Sequence, residues 1–272
     1  MAKISEEARQ QYFERIQQYK HHVEGILQHE AGMLKIITKE AEQGGYKHLV
    51  LAEGRVNVAS YFLIQNALSL ALLGIKNESF LNNARKSCYQ AVIFLESTVS
   101  KHVDAPFSEY GELQEKIEGY SDAQRFDLVR KLGFTIQAVE DGFGQNSKWR
   151  WSFVELEARF ATVAKNLINF KTFVAGMDPS VDGYRERMGH LEIVVDLLTS
   201  AADRYRQKYE LSTFRIEDFK QAIALLSALR RIYTVLGMAP ENEEVRKKLD
   251  VWKQKMEADE RRQSERSKTA EG

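Results

Sequence analysis

The sequence predicts an all-α fold, a multi-helix bundle of long antiparallel helices with heptad-like seams. Apolar residues recur at alternating spacings of four and three along several long segments, which is the period of one helix packed along another. Two of the three prolines, Pro179 and Pro240, stand where helices are expected to begin, and proline is tolerated only in the first turn. Together these observations favour helices over strands throughout the chain.

The clearest seams lie in the second half of the chain. The four-three alternation runs from Trp149 to Val174 and again from Tyr184 to Tyr209. Because Gly176 and Pro179 leave only a short link, the two helices are expected to form an antiparallel hairpin. The first of these seams consists of Trp149, Phe153, Leu156, Phe160, Val163, Leu167, Phe170 and Val174.

The first helix carries the same pattern from Tyr12 to Ile37, with Glu30 as its one charged position. A carboxylate on an apolar seam needs either a partner or contact with water. Glu30 is therefore a candidate for a polar pocket between helices.

Caps and glycines mark the remaining helix ends. Ser121 and Gln124 have the spacing of a capping box, and Gly74 and Gly237 follow apolar periodic segments, as helix-terminating glycines do. The predicted helices run roughly over 5–43, 46–74, 77–101, 121–142, 146–175, 179–210, 213–236 and 240–262.

Loss of periodicity predicts the domain boundaries. Residues 1–103 are expected to form an N-terminal helical hairpin or bundle, and 104–120 an irregular linker that contains Pro106. Residues 121–257 are expected to form a C-terminal bundle packed against the first. Apolar positions stop after Met256, so 258–272 is expected to be a disordered charged tail.

Composition argues against several functional classes. Lys plus Arg and Asp plus Glu each number 39, so no net charge recruits nucleic acid. The single cysteine, Cys88, sits on an apolar face and predicts a buried thiol and a cytoplasmic location. The apolar stretch from Ala59 to Ile75 is interrupted by polar residues, so we expect a buried core helix and no transmembrane segment.

Spacings for metal and cofactor sites are missing from the sequence. Glu-x-x-His, His-Glu-x-x-His and Asp-Asp patterns do not occur, so neither a metal nor a cofactor is expected. Glu186 and His190 lie one helical turn apart, which would suit an acid/base pair. A solvated helical ion pair is the interpretation we favour, because such pairs are common at this spacing.

Lys148, Trp149, Arg150 and Trp151 interleave cations with aromatic rings, as in a protein-binding hot spot. Lys148, Arg150 and Trp151 are therefore the candidate interaction residues. The competing interpretation, which we favour, is burial: a second apolar row on the same helix runs through Trp151, Val154, Ala158 and Ala161.

The sequence thus favours a non-enzymatic helical scaffold or adaptor that presents helix faces to a protein partner or to another copy of itself. The alternative is an enzyme or small-ligand carrier with a pocket between helices, since bundles build such sites from facing side chains. A peripheral membrane module is a third hypothesis, weakened by the balanced charge of the first helix.

Overall fold

A computed structural model describes residues 4–39, 44–144 and 147–270, with side chains up to residue 265. Within these residues the protein is helical and contains no strand, which confirms the predicted all-α, multi-helix fold. The α-helices are α1 (Glu6–Lys39), α2 (Gly44–Leu73), α3 (Glu78–Val99), α4 (Gly111–Glu115), α5 (Asp122–Phe143), α6 (Arg150–Leu167), α7 (Phe170–Phe173), α8 (Tyr184–Lys208), α9 (Ile216–Val235) and α10 (Ala239–Ala270).

The chain divides into two compact units. Unit 1 comprises residues 1–100 and 110–156, and unit 2 comprises 101–109 and 157–272. This division differs from the predicted boundaries at 103 and 121, because α5 packs on α2 and α3 and so belongs to the N-terminal unit. The segment 104–120, predicted to be irregular, contains a 3₁₀ turn at Phe107–Tyr110 and the short helix α4.

Unit 1 is organised around α2, which packs against α1, α3 and α5. Its predicted capping box is confirmed: Ser121 Oγ accepts a hydrogen bond from the Gln124 amide at 3.3 Å, and Gln124 Oε1 accepts one from the Ser121 amide at 2.9 Å. This reciprocal pairing satisfies two amides that a helix start leaves open, so it fixes where α5 begins.

The second half of α2 departs from the expected buried core helix. Gln65 and Ser69 are buried there, whereas Ile64 is 37% and Leu70 54% exposed. By length and composition alone α2 could cross a membrane, and 28% of its most apolar window is buried. The core helix of a soluble protein can have the same length and composition.

Unit 2 contains α7 to α10 and the C-terminal part of α6. Helix α9 packs against both α8 and α10. An ion pair joins Arg204 to Glu157, and His190 Nε2 lies 2.9 Å from the Ala164 carbonyl oxygen, so α6 and α8 run antiparallel as predicted. The seam residue Phe160 is 1% exposed, as expected of a core position.

The helix predicted over 146–175 is interrupted. Helix α6 ends at Leu167, and Asn169 caps α7 by accepting a hydrogen bond from the Lys171 amide at 3.2 Å. An asparagine side chain competes with the helical ladder for backbone donors, which explains the break. The next helix begins at Tyr184 rather than at 179, after Gly183 in the left-handed conformation, with φ of 77°. Residue 146, the predicted start of the first of these helices, lies outside the described residues.

The predicted disordered tail is instead helical as far as Ala270, and its last two residues lie outside the described part of the chain. Lys255 and Arg262 both pair with Asp259, at 3.2 and 3.7 Å. Charged pairs at these spacings support a helix whose apolar positions have ended.

Candidate interaction surface

The predicted interaction residues lie together at the beginning of α6, in unit 1. Lys148 and Arg150 are exposed, and Trp151 is half-buried. Lys148 Nζ lies 5.5 Å from the centroid of the Trp149 ring, and Arg150 Cζ lies 4.8 Å from that of Trp151. These are distances at which a cation is attracted to an aromatic face.

A third cation, Arg85 of α3, completes this surface. Its Cζ lies 4.1 Å from the Trp149 ring centroid. Arg85 is also held in place, because its Nη1 donates to Ser152 Oγ at 2.7 Å and its Nη2 to Asn82 Oδ1 at 2.9 Å. Tyr89 of α3 adds a hydrogen bond from its hydroxyl to the Ser152 carbonyl at 2.6 Å.

We call the surface formed by Arg85, Lys148, Trp149, Arg150 and Trp151 the Trp patch. Its three cations form no ion pair with a carboxylate in the part of the chain that the structure describes, so the patch carries three uncompensated positive charges.

The core of unit 1 anchors the patch through Trp149. The Trp149 and Phe143 ring centroids are 6.3 Å apart, and Phe143 packs on Phe153 at 5.9 Å. Ser147 Oγ accepts a hydrogen bond from the Trp149 amide at 3.1 Å, which fixes the chain just before α6. The patch is therefore a preorganised surface.

Comparison with protein families gives one match, in which residues 8–260 fit the model of the TP0443 family. The chain belongs to the TP0443 family. Curated proteins and solved structures yield no match. The name of the TP0443 family states no activity.

The buried row predicted on α6 of this TP0443-family protein is only partly formed. Val154, Ala158 and Ala161 are 1%, 8% and 0% exposed, as expected. Trp151, at the N-terminal end of the row, is half-buried instead. The periodicity of the sequence predicted this apolar row correctly but did not show that burial ends before Trp151. The part of Arg85 in the Trp patch could not be predicted, because Arg85 lies more than sixty positions from Trp149 in the sequence.

Glu30 has the partner that its seam position required. Arg55 of α2 donates from Nε to Glu30 Oε2 at 2.6 Å and from Nη2 to Oε1 at 2.5 Å. Glu30 is 8% exposed, so this two-pronged pair is largely shielded from water. The pair joins α1 to α2, which gives Glu30 a structural role in unit 1.

The interpretation of Glu186 and His190 as a solvated ion pair is wrong. His190 is 4% exposed, and its Nε2 lies against the Ala164 carbonyl of α6. The apolar seam of α8 turns this position inward, which the one-turn spacing to Glu186 could not reveal. His190 therefore belongs to the packing of unit 2.

Cys88 is buried as predicted, with 0% exposure. Burial raises the pKa of its thiol to about 12, so the nucleophilic thiolate is disfavoured. Among the described residues, no group of three or more His, Cys, Asp or Glu side chains is placed to hold a metal ion.

Proposed function

We propose that this TP0443-family protein is a non-enzymatic helical adaptor that binds a protein partner through the Trp patch, at an acidic segment of that partner. The observation that carries the proposal is one surface that combines two partly exposed tryptophans with three cations, none of which forms an ion pair with a described carboxylate.

The side-chain types support binding. Tryptophan and arginine are the residues most enriched where protein interfaces gain their affinity, because each offers a large contact area. In the Trp patch, Arg85 and Lys148 lie near Trp149, and Arg150 lies near Trp151. These contacts restrict the tryptophan side chains before a partner binds, so binding costs little further conformational entropy.

Charge supports an acidic partner. The whole chain is neutral, with 39 basic and 39 acidic residues, yet the three cations of the Trp patch pair with none of the carboxylates that the structure describes. Complementary charge accelerates association and disfavours partners of the same sign.

The same charge disfavours a symmetric dimer built on this surface. In a two-fold interface each copy presents the same residues, so Arg85, Lys148 and Arg150 would face their own counterparts. Like charges brought together in an interface cost free energy. A different protein is therefore the preferred partner.

The test compares purification from native cells, with identification by mass spectrometry, for the wild-type protein and the Arg150→Gln/Trp151→Ala variant. A stoichiometric partner that the wild type retains, that salt weakens and that the variant loses is the expected result. The matched control is Arg130→Gln/Phe134→Ala on α5 of unit 1, which removes an exposed cation and an aromatic ring that is 70% exposed.

Thermal unfolding of all three proteins accompanies the purification. The patch variant should melt within a few degrees of the wild type, since Arg150 is exposed and Trp151 is only half-buried. A loss of about 1 kcal/mol lowers the melting temperature of a chain of this size by roughly 2 to 4 °C. A partner retained equally by the patch variant and by the control would contradict the proposal.

A further inference from the structure

A cleft of about 450 Å³ lies in unit 2 between α9, α10 and the segment that carries Asp104. Val235 and Leu249 form its apolar part. Its polar groups are Asp104, Ser227, Arg230, Arg231, Thr234 and Lys253. The volume is that of a site for a small molecule, since such sites span about 300 to 1,000 Å³.

The charges in this cleft do not balance. Arg231 is paired, because its Nε donates to Asp104 Oδ1 at 2.9 Å. Arg230 Nε reaches the amide oxygen of Asn242 at 3.4 Å and no carboxylate. Lys253 forms neither a hydrogen bond nor an ion pair with the described part of the chain. Three cations therefore face one carboxylate.

Glu243 of α10 interacts electrostatically with Arg230, but its carboxylate is committed to another cation. Glu243 binds Arg246 through both of its oxygens, each at 2.7 Å. That pairing leaves the Arg230 guanidinium without a carboxylate ligand.

The cleft also contains two hydroxyl groups, those of Ser227 and Thr234. Ser227, Arg230, Arg231 and Thr234 are spaced three, one and three residues apart on α9, so they share one face of the helix. Thr234 Oγ1 is already committed, since it donates to the Arg230 carbonyl at 2.9 Å and accepts from Asn242 Nδ2 at 2.6 Å. The Ser227 hydroxyl forms no hydrogen bond with the described residues and can donate to a ligand.

We propose that this cleft binds the phosphate group of a small, soluble phosphomonoester. A phosphate dianion offers three acceptor oxygens to the guanidinium of Arg230, the ammonium of Lys253 and the hydroxyl of Ser227, which all line the cleft. A carboxylate has a single charge and two oxygens, so it would leave donors unmatched. The proposal does not depend on a partner at the Trp patch.

The test is calorimetric titration of the full chain with glycerol phosphate and inorganic phosphate at constant ionic strength. Both are expected to bind the wild type. Arg230→Gln/Lys253→Gln should weaken binding at least about tenfold, the loss expected when charge-assisted hydrogen bonds are removed. The matched control, Lys247→Gln/Arg261→Gln, removes two exposed cations of α10 outside the cleft and should bind as the wild type does.

Three results would overturn the assignment. The first is that neither phosphate compound binds the wild type. The second is that the cleft variant, melting at the wild-type temperature, binds as tightly as the control. The third is that the protein floats with phosphatidic acid vesicles but ignores free glycerol phosphate, which would assign the site to a lipid headgroup instead.

Discussion

Each compact unit buries one cationic side chain among the described residues, and the two units accommodate it differently. In unit 1, Arg125 is 3% exposed. Its Nε donates to the Tyr120 carbonyl at 2.8 Å, its Nη1 to Gln114 Oε1 at 2.6 Å and its Nη2 to the Ile117 carbonyl at 3.0 Å. One guanidinium therefore fastens the segment before α5 to the start of that helix.

In unit 2, Lys165 of α6 is 1% exposed. Burial lowers the pKa of its amine to about 8, an effect that the charge of Asp104 opposes and that of Arg231 reinforces. Its Nζ lies 5.8 Å from the ring centroid of Phe107.

The contrast shows how the chemistry of a cation decides its use. A guanidinium presents five donors in a rigid fork and stays charged, so neutral carbonyl and amide oxygens can hold it permanently. An ammonium is more strongly hydrated, and its pKa falls readily on burial. Arg125 is therefore a structural clamp, whereas Lys165 carries a charge that pH can remove.

The largest effect is expected from Arg125→Met. The substitution removes the donor that Arg125 supplies to the carbonyls of Ile117 and Tyr120 and to the amide oxygen of Gln114. The loss of a donor to a buried acceptor costs about 1 to 3 kcal/mol. We expect a loss of roughly 3 kcal/mol or more in the free energy of unfolding, measured by urea denaturation.

Arg130→Met on the same helix is the control, because Arg130 is half exposed. That change should cost about 0.5 kcal/mol or less. Equal losses for the two variants would show that Arg125 does not clamp the segment.

A smaller change in the free energy of unfolding is expected when the pH is raised. Below pH 8 the Lys165 amine is protonated in both the folded and unfolded chain, and the folded chain bears the cost of burying the charge. Above pH 8 the folded chain loses this proton, whereas the unfolded chain keeps it up to about 10.5. The unfolded state then binds more protons, so stability rises with pH, by an amount on the order of 1 kcal/mol between pH 7 and 9.

Cys88 acts in the opposite direction. Its pKa is raised to about 12 in the folded chain, so the unfolded thiol ionises first and stability falls above about pH 9. The measurement is therefore the difference between the wild type and Lys165→Met, in which the contribution of Cys88 cancels. Identical pH slopes for the two proteins would mean that Lys165 does not titrate in this range.

The sequence predicted those features of the fold that depend on interactions between residues close together in the chain. The Ser121 and Gln124 capping box, the helix end at Gly237 with φ of 69°, and the burial of Phe160 depend on residues within a few turns of one helix. The need of Glu30 for a partner was also visible, although not the identity of Arg55.

The remaining features depend on contacts between distant segments. Arg125 and Lys165 look like ordinary surface cations, because nothing nearby in the sequence marks them as buried. Arg85 joins the Trp patch only through the packing of α3 against the start of α6. Half of α2 turns Gln65 inward and Leu70 outward, against the usual preference. The periodicity of a sequence shows which residues share one face of a helix. Whether that face is buried or exposed depends on how the helices pack.

The smallest effect is expected from Lys165→Met at pH 7. Methionine has nearly the length of lysine without the charge, so the substitution removes the burial cost of the amine together with its polar contacts, among them the attraction to Asp104. Replacing a buried charged group by a well-packed apolar one is often neutral or stabilising. We expect a loss of no more than about 1 kcal/mol, against about 0.5 kcal/mol or less for the exposed control Lys171→Met, both by urea denaturation. A loss as large as that of Arg125→Met would break the comparison, because it would show that the ammonium of Lys165 holds unit 2 together as the guanidinium of Arg125 holds unit 1.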